Sequence, residues 1–142
     1  MRQFKVKARE DLLVALQLAQ RELGHIPRSL MIELAATAGV PVAEVYGVAS
    51  FYSFLSIRPL GRHVIRVCKS LPCHIRGAEA LISSIAKTCG LKPGETSPDG
   101  RFSFQLVNCI GACDGSPAMM IDDDVYVNLT PGSLSAILEK YR

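Results

Sequence analysis

Four of the five cysteines fall in two pairs, Cys68 with Cys73 and Cys109 with Cys113, spaced C-x4-C and C-x3-C with 35 residues between them. Thiolates are soft ligands. Two loops carrying two each suit either a tetrahedral zinc or an iron–sulfur cluster whose two irons each take two sulfurs. Spacing alone leaves iron–sulfur, structural zinc and unligated thiols all open. Because 49% of the 142 residues are apolar, the chain has means of building a core without a metal, whereas structural zinc most often rescues core-poor modules. That tilts the choice toward iron–sulfur. A disulfide framework fits poorly with an odd cysteine count, and neither pair has the C-x-x-C spacing of a thioredoxin-type redox motif.

Residues around the pairs suit the same chemistry. Ser70, Pro72, Gly77, Gly111, Ala112, Gly115 and Pro117 are small or constrained, so backbone N–H groups can approach sulfur and help set a cluster's potential. Arg66, Lys69 and Arg76 either offset the negative charge of such a centre or are plain solvated cations. Cys89 falls on the apolar face of a helix and reads as a buried thiol rather than a fifth ligand. His63 and His74 are available for a Rieske-type site, but four paired cysteines suffice without them. Asp122-Asp123-Asp124 reads as a solvated hairpin turn, since no EF-hand spacing accompanies it. There is no G-x-G-x-x-G, no P-loop, and no Ser/His/Asp or Cys/His arrangement. Any part in catalysis is then the carriage of electrons.

The elements that must position these residues follow from periodicity. Residues 8–23 place Leu12, Ala15, Leu16, Ala19 and Leu23 on one helical stripe capped by Gly24. Residues 29–38 predict a second helix ended by Gly39, and Pro41 opens a third that runs to about Tyr52. From residue 60 the period changes to two. Arg62–Cys68 reads as a strand delivering Cys68 at its end, and Gly77–Cys89 as a helix with Ala78, Leu81, Ile82, Ile85, Ala86 and Cys89 inward. Residues 91–101 read as a loop and 102–108 as a second strand leading to Cys109. Strands at 118–121 and 125–129 and a helix over 133–141 complete the chain. The four paired cysteines are expected where strands give way to loops, at one edge of one sheet. The boundary is expected at Pro59-Leu60-Gly61, dividing residues 1–59 from 60–142.

Composition narrows the partners. A formal charge of +3 supports no general affinity for nucleic acid. Residues 34–45 have the small-residue pattern of a helix–turn–helix crossing, yet the following helix offers no Arg, Lys, Asn or Gln to read bases, so DNA binding is not expected. No apolar run of bilayer length occurs and the N-terminus lacks a secretory pattern. A cytoplasmic protein without direct membrane insertion is the expectation. Residues 50–57 carry more aromatic surface than their length requires, for core packing or for a partner subunit.

Taken together, Gly61–Cys68, Cys73-His74, Gly77, Cys109-Ile110-Gly111-Ala112-Cys113-Asp114 and Pro117–Ile121 resemble the NuoE-type subunit family of respiratory complex I. That family has relatives in soluble NAD-linked hydrogenases and formate dehydrogenases. Gly24, Pro27, Val45–Tyr52 and Leu129-Thr130-Pro131 are similar to it as well. The resemblance implies an α+β protein, an N-terminal helical bundle followed by a thioredoxin-like ferredoxin domain. It implies a [2Fe–2S] cluster on Cys68, Cys73, Cys109 and Cys113, with no catalytic residue in the chain. It also implies docking beside a flavoprotein subunit that holds FMN, the NAD(H) site and another iron–sulfur cluster, within a complex that has further iron–sulfur subunits. A zinc-stabilised interaction module without redox role is the competing reading.

Overall fold

The structure, a computed structural model, describes residues 9–141. The chain divides into two compact units, Met1–Pro59 and Leu60–Arg142. In the first, a 3-10 turn at Arg9–Asp11 leads into α1 (Leu12–Leu23), followed by α2 (Arg28–Ala38) and α3 (Val42–Phe51). Residue 8, the expected start of the first helix, lies outside the described residues. Leu12, Ala15, Leu16 and Ala19 bury one face of α1, the spacing that a 3.6-residue period demands. The N–H of Gly24, in a left-handed conformation, closes the helix on the carbonyl of Gln20. Leu23, expected in the same stripe, is the last residue of the helix and is 47% exposed.

α2 contributes Leu30, Met31, Leu34 and Ala35 to that core, whereas α3 contributes only Val45 and Ala49. Ile26, in the turn between α1 and α2, is fully buried, and its N–H donates to Ser56 O. The Ser56 N–H in turn donates to Gln20 Oε1 at 2.8 Å, which ties the segment after α3 to the end of α1. Leu55 and Ile57 pack on the helical core, but Phe51 is 79% exposed and Tyr52 and Phe54 are exposed too. Core packing therefore does not account for the aromatic half of residues 50–57. No single helix among the described residues is long and apolar enough to cross a membrane.

The second unit is a four-stranded mixed sheet with helices. Its strands are β1 (His63–Cys68), β2 (Phe102–Val107), β3 (Met119–Ile121) and β4 (Asp124–Tyr126), and its helices α4 (Leu71–Ile75), α5 (Ala78–Cys89) and α6 (Leu134–Glu139). The order is β2-β1-β3-β4, with β1 parallel to β2 and antiparallel to β3. Being central, β1 is buried on both faces, at Val64 and Cys68 as well as Ile65 and Val67, so the strict alternation expected of a half-exposed strand is absent. Leu81 and Ile85 of α5 and Leu134 and Leu138 of α6 share a core with Ile65, Val67, Phe104, Met119 and Ile121. The 91–101 loop runs along the free edge of β2, exchanging hydrogen bonds through Gly94, Glu95 and Ser97, and so covers an otherwise unpaired edge.

Three sequence expectations change here. Residues 71–75 form a helix, α4, where a loop was expected. The register Ile121↔Asp124 leaves Asp122-Asp123 as the hairpin turn, and the Asp122 carboxylate, although partly exposed, is engaged by the chain rather than by water alone. Its Oδ1 accepts the Val64 N–H at 2.9 Å and its Oδ2 lies 2.7 Å from His63 Nδ1, so the turn is latched to the start of β1. The last strand ends at Tyr126 rather than 129. Asn128 then takes a positive φ, and the N–H groups of Asn128 and Leu129 donate to Gly115 O and Pro117 O. That last detail braces the loop described next.

Candidate metal centre

The first thiol pair is built from regular structure. Cys68 is the last residue of β1, and its N–H donates to Ala118 O on one side while the Lys69 N–H donates to Val107 O on the other. The chain leaving the strand is thus pinned to both neighbours. Ser70 is extended, and Leu71-Pro72 open α4, where the fixed φ of proline suits a first turn. Cys73 therefore sits in a helix, not a loop, and both Cys68 and Cys73 are buried. With Ala78 and Ala118 they form a small apolar cluster against which Ile110 and Ala112 pack.

The second pair lies on irregular chain after β2. Cys109 and Cys113 are exposed, with their sulfurs 3.3 Å apart. Gly111 stands between them at φ 83°, a conformation that costs a side chain about 1 kcal/mol or more, and its N–H donates to Cys109 Sγ at 3.4 Å. Gly115 packs so closely on Val127 that an added Cβ would stand 2.6 Å from that residue's own.

The two pairs meet. Burial pushes the Cys68 thiol up, but hydrogen bonds from the Ser70 N–H, the Cys73 thiol, the Ser70 hydroxyl and the Ile110 N–H outweigh it, and the net shift is downward. The Ile110 N–H belongs to the other pair's loop. Cys113 is pushed up, first by its hydrogen bond with Cys109, then by burial, then by negative charge on Cys109, Cys73 and Cys68. Negative charge on the other three sulfurs opposes ionisation of Cys113, which a positive core among them would offset. No three His, Cys, Asp or Glu side chains among the described residues converge on one ion position. The paired cysteines come as two and two, a set that could hold a binuclear core.

The remaining sequence candidates lie elsewhere. His63 is held by Asp122, and His74 points its Nδ1 toward Glu79 at 3.4 Å. Burial lowers the Arg66 guanidinium from its ordinary value, against Asp122 and Asp123, which place its charge toward the hairpin. Arg76 Nη1 donates to Asp114 O at 3.3 Å and so reaches from the α4–α5 junction to the second pair's loop. Cys89 is half-buried beside a cleft of about 520 Å³ with Arg101 and Phe102, and burial raises its pKa against the opposing Arg101 charge. It is not among the four.

Two features had no counterpart in the sequence reading. Ser116 is 5% exposed, its hydroxyl donating to Cys113 O at 2.7 Å and standing 3.5 Å from Cys73 Sγ. Leu71 and Ile75, 69% and 74% exposed, flank Cys73 on α4. Their i, i+4 spacing around a ligand candidate was the available signal for the second feature, and nothing in the sequence marked the first.

The chain as a whole is similar to known proteins. The sequence profile of a family described as thioredoxin-like [2Fe–2S] ferredoxin matches residues 1–142. The NuoE-type subunit of NADH-quinone oxidoreductase from Escherichia coli is 41% identical over 128 residues, 90% of this chain and 77% of that protein. Its counterpart in Pseudomonas aeruginosa is 41% identical over 127 residues, 89% of this chain and 76% of that protein. Among solved structures, the NAD+-reducing [NiFe]-hydrogenase in the H2-reduced state aligns over 96% of this chain with a TM-score of 0.76 and 26% identity. This chain spans 23% of that hydrogenase chain.

Proposed function

The chain belongs to the thioredoxin-like [2Fe–2S] ferredoxin family, and from that premise we propose that Cys68, Cys73, Cys109 and Cys113 hold its cluster. It is an electron-transfer subunit of an NADH-dehydrogenase-like complex. The finer reading is that it exchanges single electrons with the flavin of a partner subunit that oxidises NAD(H). When bound, the cluster supplies a one-electron acceptor and donor. The observation that carries the ligand assignment is the meeting of the two pairs: Ile110 and Ala112 of the second pair's loop pack on Cys68 and Cys73, and the Ser116 hydroxyl lies between Cys73 Sγ and the Cys113 carbonyl.

The chain's own residues divide the work. Cys68 and Cys73 anchor the centre within the fold, and the exposed Cys109–Cys113 side leaves it accessible to an electron partner. The Gly111 N–H donates to Cys109 sulfur, and the backbone at Ser70 and Ile110 lowers the Cys68 thiol, so the surrounding backbone favours charged sulfur. Leu71 and Ile75 form an apolar rim beside Cys73, the kind of exposed patch that marks a protein interface, and this is where the flavoprotein is assigned. Residues 9–59 hold a helical unit whose exposed Phe51, Tyr52 and Phe54 serve assembly with further iron–sulfur subunits. No residue here performs bond chemistry, and the complex works from the cytoplasmic side.

The assay is iron and acid-labile sulfide on anaerobically purified protein. About two of each per chain, with visible absorption, is the expected result. One zinc per chain and a colourless protein would sink the proposal in favour of a zinc-stabilised interaction module.

A further inference from the structure

The buried hydroxyl of Ser116 bridges the two thiol pairs. It donates to the Cys113 carbonyl at 2.7 Å and lies 3.5 Å from Cys73 Sγ. A hydroxyl has one hydrogen to give. While Cys73 is a thiol, its own S–H serves the contact with the Ser116 oxygen. Once Cys73 is a metal-bound thiolate, its sulfur can only accept, and two acceptors compete for the single hydrogen of Ser116. Hydrogen bonds to charged acceptors are the stronger ones, and addition of an electron to the centre raises the negative charge on cysteine sulfur while leaving the Cys113 carbonyl unchanged.

We propose that Ser116 is a positioning residue whose hydroxyl holds the Cys113 carbonyl in the oxidised state, turns toward Cys73 Sγ on reduction, and thereby raises the reduction potential. The proposal rests on the ligand assignment made above. The step balances simply: one electron enters from a reductant, dithionite in vitro or a reduced flavin in a complex, and the hydroxyl hydrogen rotates without leaving its oxygen. Burial strengthens the effect, because a site closed to water gives the sulfur no competing donor from solvent.

The test uses the full chain carrying Ser116→Ala, its iron and sulfide content, and a dithionite titration followed by electron paramagnetic resonance. The variant is expected to load like the wild type. At a fixed ambient potential its ratio of reduced to oxidised protein should fall about three- to tenfold, tenfold being about 59 mV for a one-electron couple. In heavy water the Fe–S stretching bands of the reduced wild type should shift more than those of the reduced variant, whereas the two oxidised proteins should shift alike. A loaded Ser116→Ala protein with the wild-type potential overturns the proposal. Should Ser116→Ala fail to load, Ser116→Cys, of similar size but a weaker donor, decides. A lowered potential supports the inference, and a wild-type potential, or loss of the centre from both variants, overturns it. A wild-type chain without iron sinks the ligand assignment itself, whereas an iron-loaded wild type with an indifferent Ser116 sinks this inference alone.

Discussion

The two thiol pairs reach one site by opposite routes. Cys68 and Cys73 are buried and take their places from a central strand and a helix, so the sheet and core of the second unit fix them. Cys109 and Cys113 are exposed on irregular chain. Their places depend on a handful of local devices: the Gly111 N–H on sulfur, the Ser116 hydroxyl, the Arg76 contact with Asp114 O, and the Asn128–Gly115 brace. The contrast teaches that half of such a centre is a product of the fold and half is an ordered loop whose order is separately maintained. Substitutions in the two halves should then fail in different ways.

The largest effect is expected from the ligands themselves. Cys109→Ser should remove most of the bound iron and the visible absorption while the melting temperature of the metal-free chain stays near wild type. Cys68→Ser should also lose the centre, and in addition should destabilise the metal-free fold by about 1–3 kcal/mol, since it places a hydroxyl among apolar neighbours. Cys89→Ala should keep its iron. Equal loss of iron from Cys109→Ser and Cys89→Ala would mean that the ligand set is misassigned, and equal destabilisation by Cys68→Ser and Cys109→Ser would erase the contrast between the halves.

A smaller effect isolates the loop. Gly115→Ala would put a methyl group 2.6 Å from Val127 Cβ, and one of the two segments must give way. Overpacking of this kind costs about 1–3 kcal/mol. Gly115 O also accepts the Asn128 N–H, so the displacement should pass to Cys113 two residues away. Faster iron release to a chelator with little change in the far-ultraviolet circular dichroism is the expected result. An unchanged release rate would show that the Val127 contact does not brace the second pair.

What could be read in advance follows the same division. The helix ends at Gly24 and Gly39, the delivery of Cys68 by a strand, and the apolar face of α5 were legible because each is a local signal of period or cap. α4 was not, because five residues are too few to show a helical period. The convergence of the pairs depends on the parallel register His63↔Phe102 through Cys68↔Val107, a tertiary fact that spacing can suggest but not specify. Asp122 looked like turn chemistry and was, yet its carboxylate is spent on His63 and Val64 of a strand 58 residues away. Ser116 lay hidden for the opposite reason. A serine beside proline is an ordinary loop residue until its neighbours are known.

The smallest effect concerns the thiol that belongs to neither half. Burial raises the Cys89 pKa above its ordinary value, with Arg101 opposing. A raised pKa means that the folded chain holds this proton more tightly than the unfolded chain does. The contribution is therefore fully present below the ordinary thiol pKa and is lost as pH rises through the folded value. Comparing wild type with Cys89→Ala at each pH cancels the titration of the other four cysteines, which are common to both proteins. The difference in melting temperature should be constant at neutral pH and should then shift in favour of the variant above the ordinary thiol range. A difference that stays flat through alkaline pH would place the Cys89 thiol in water, leaving the buried first pair as the thiols of the second unit that the fold shelters.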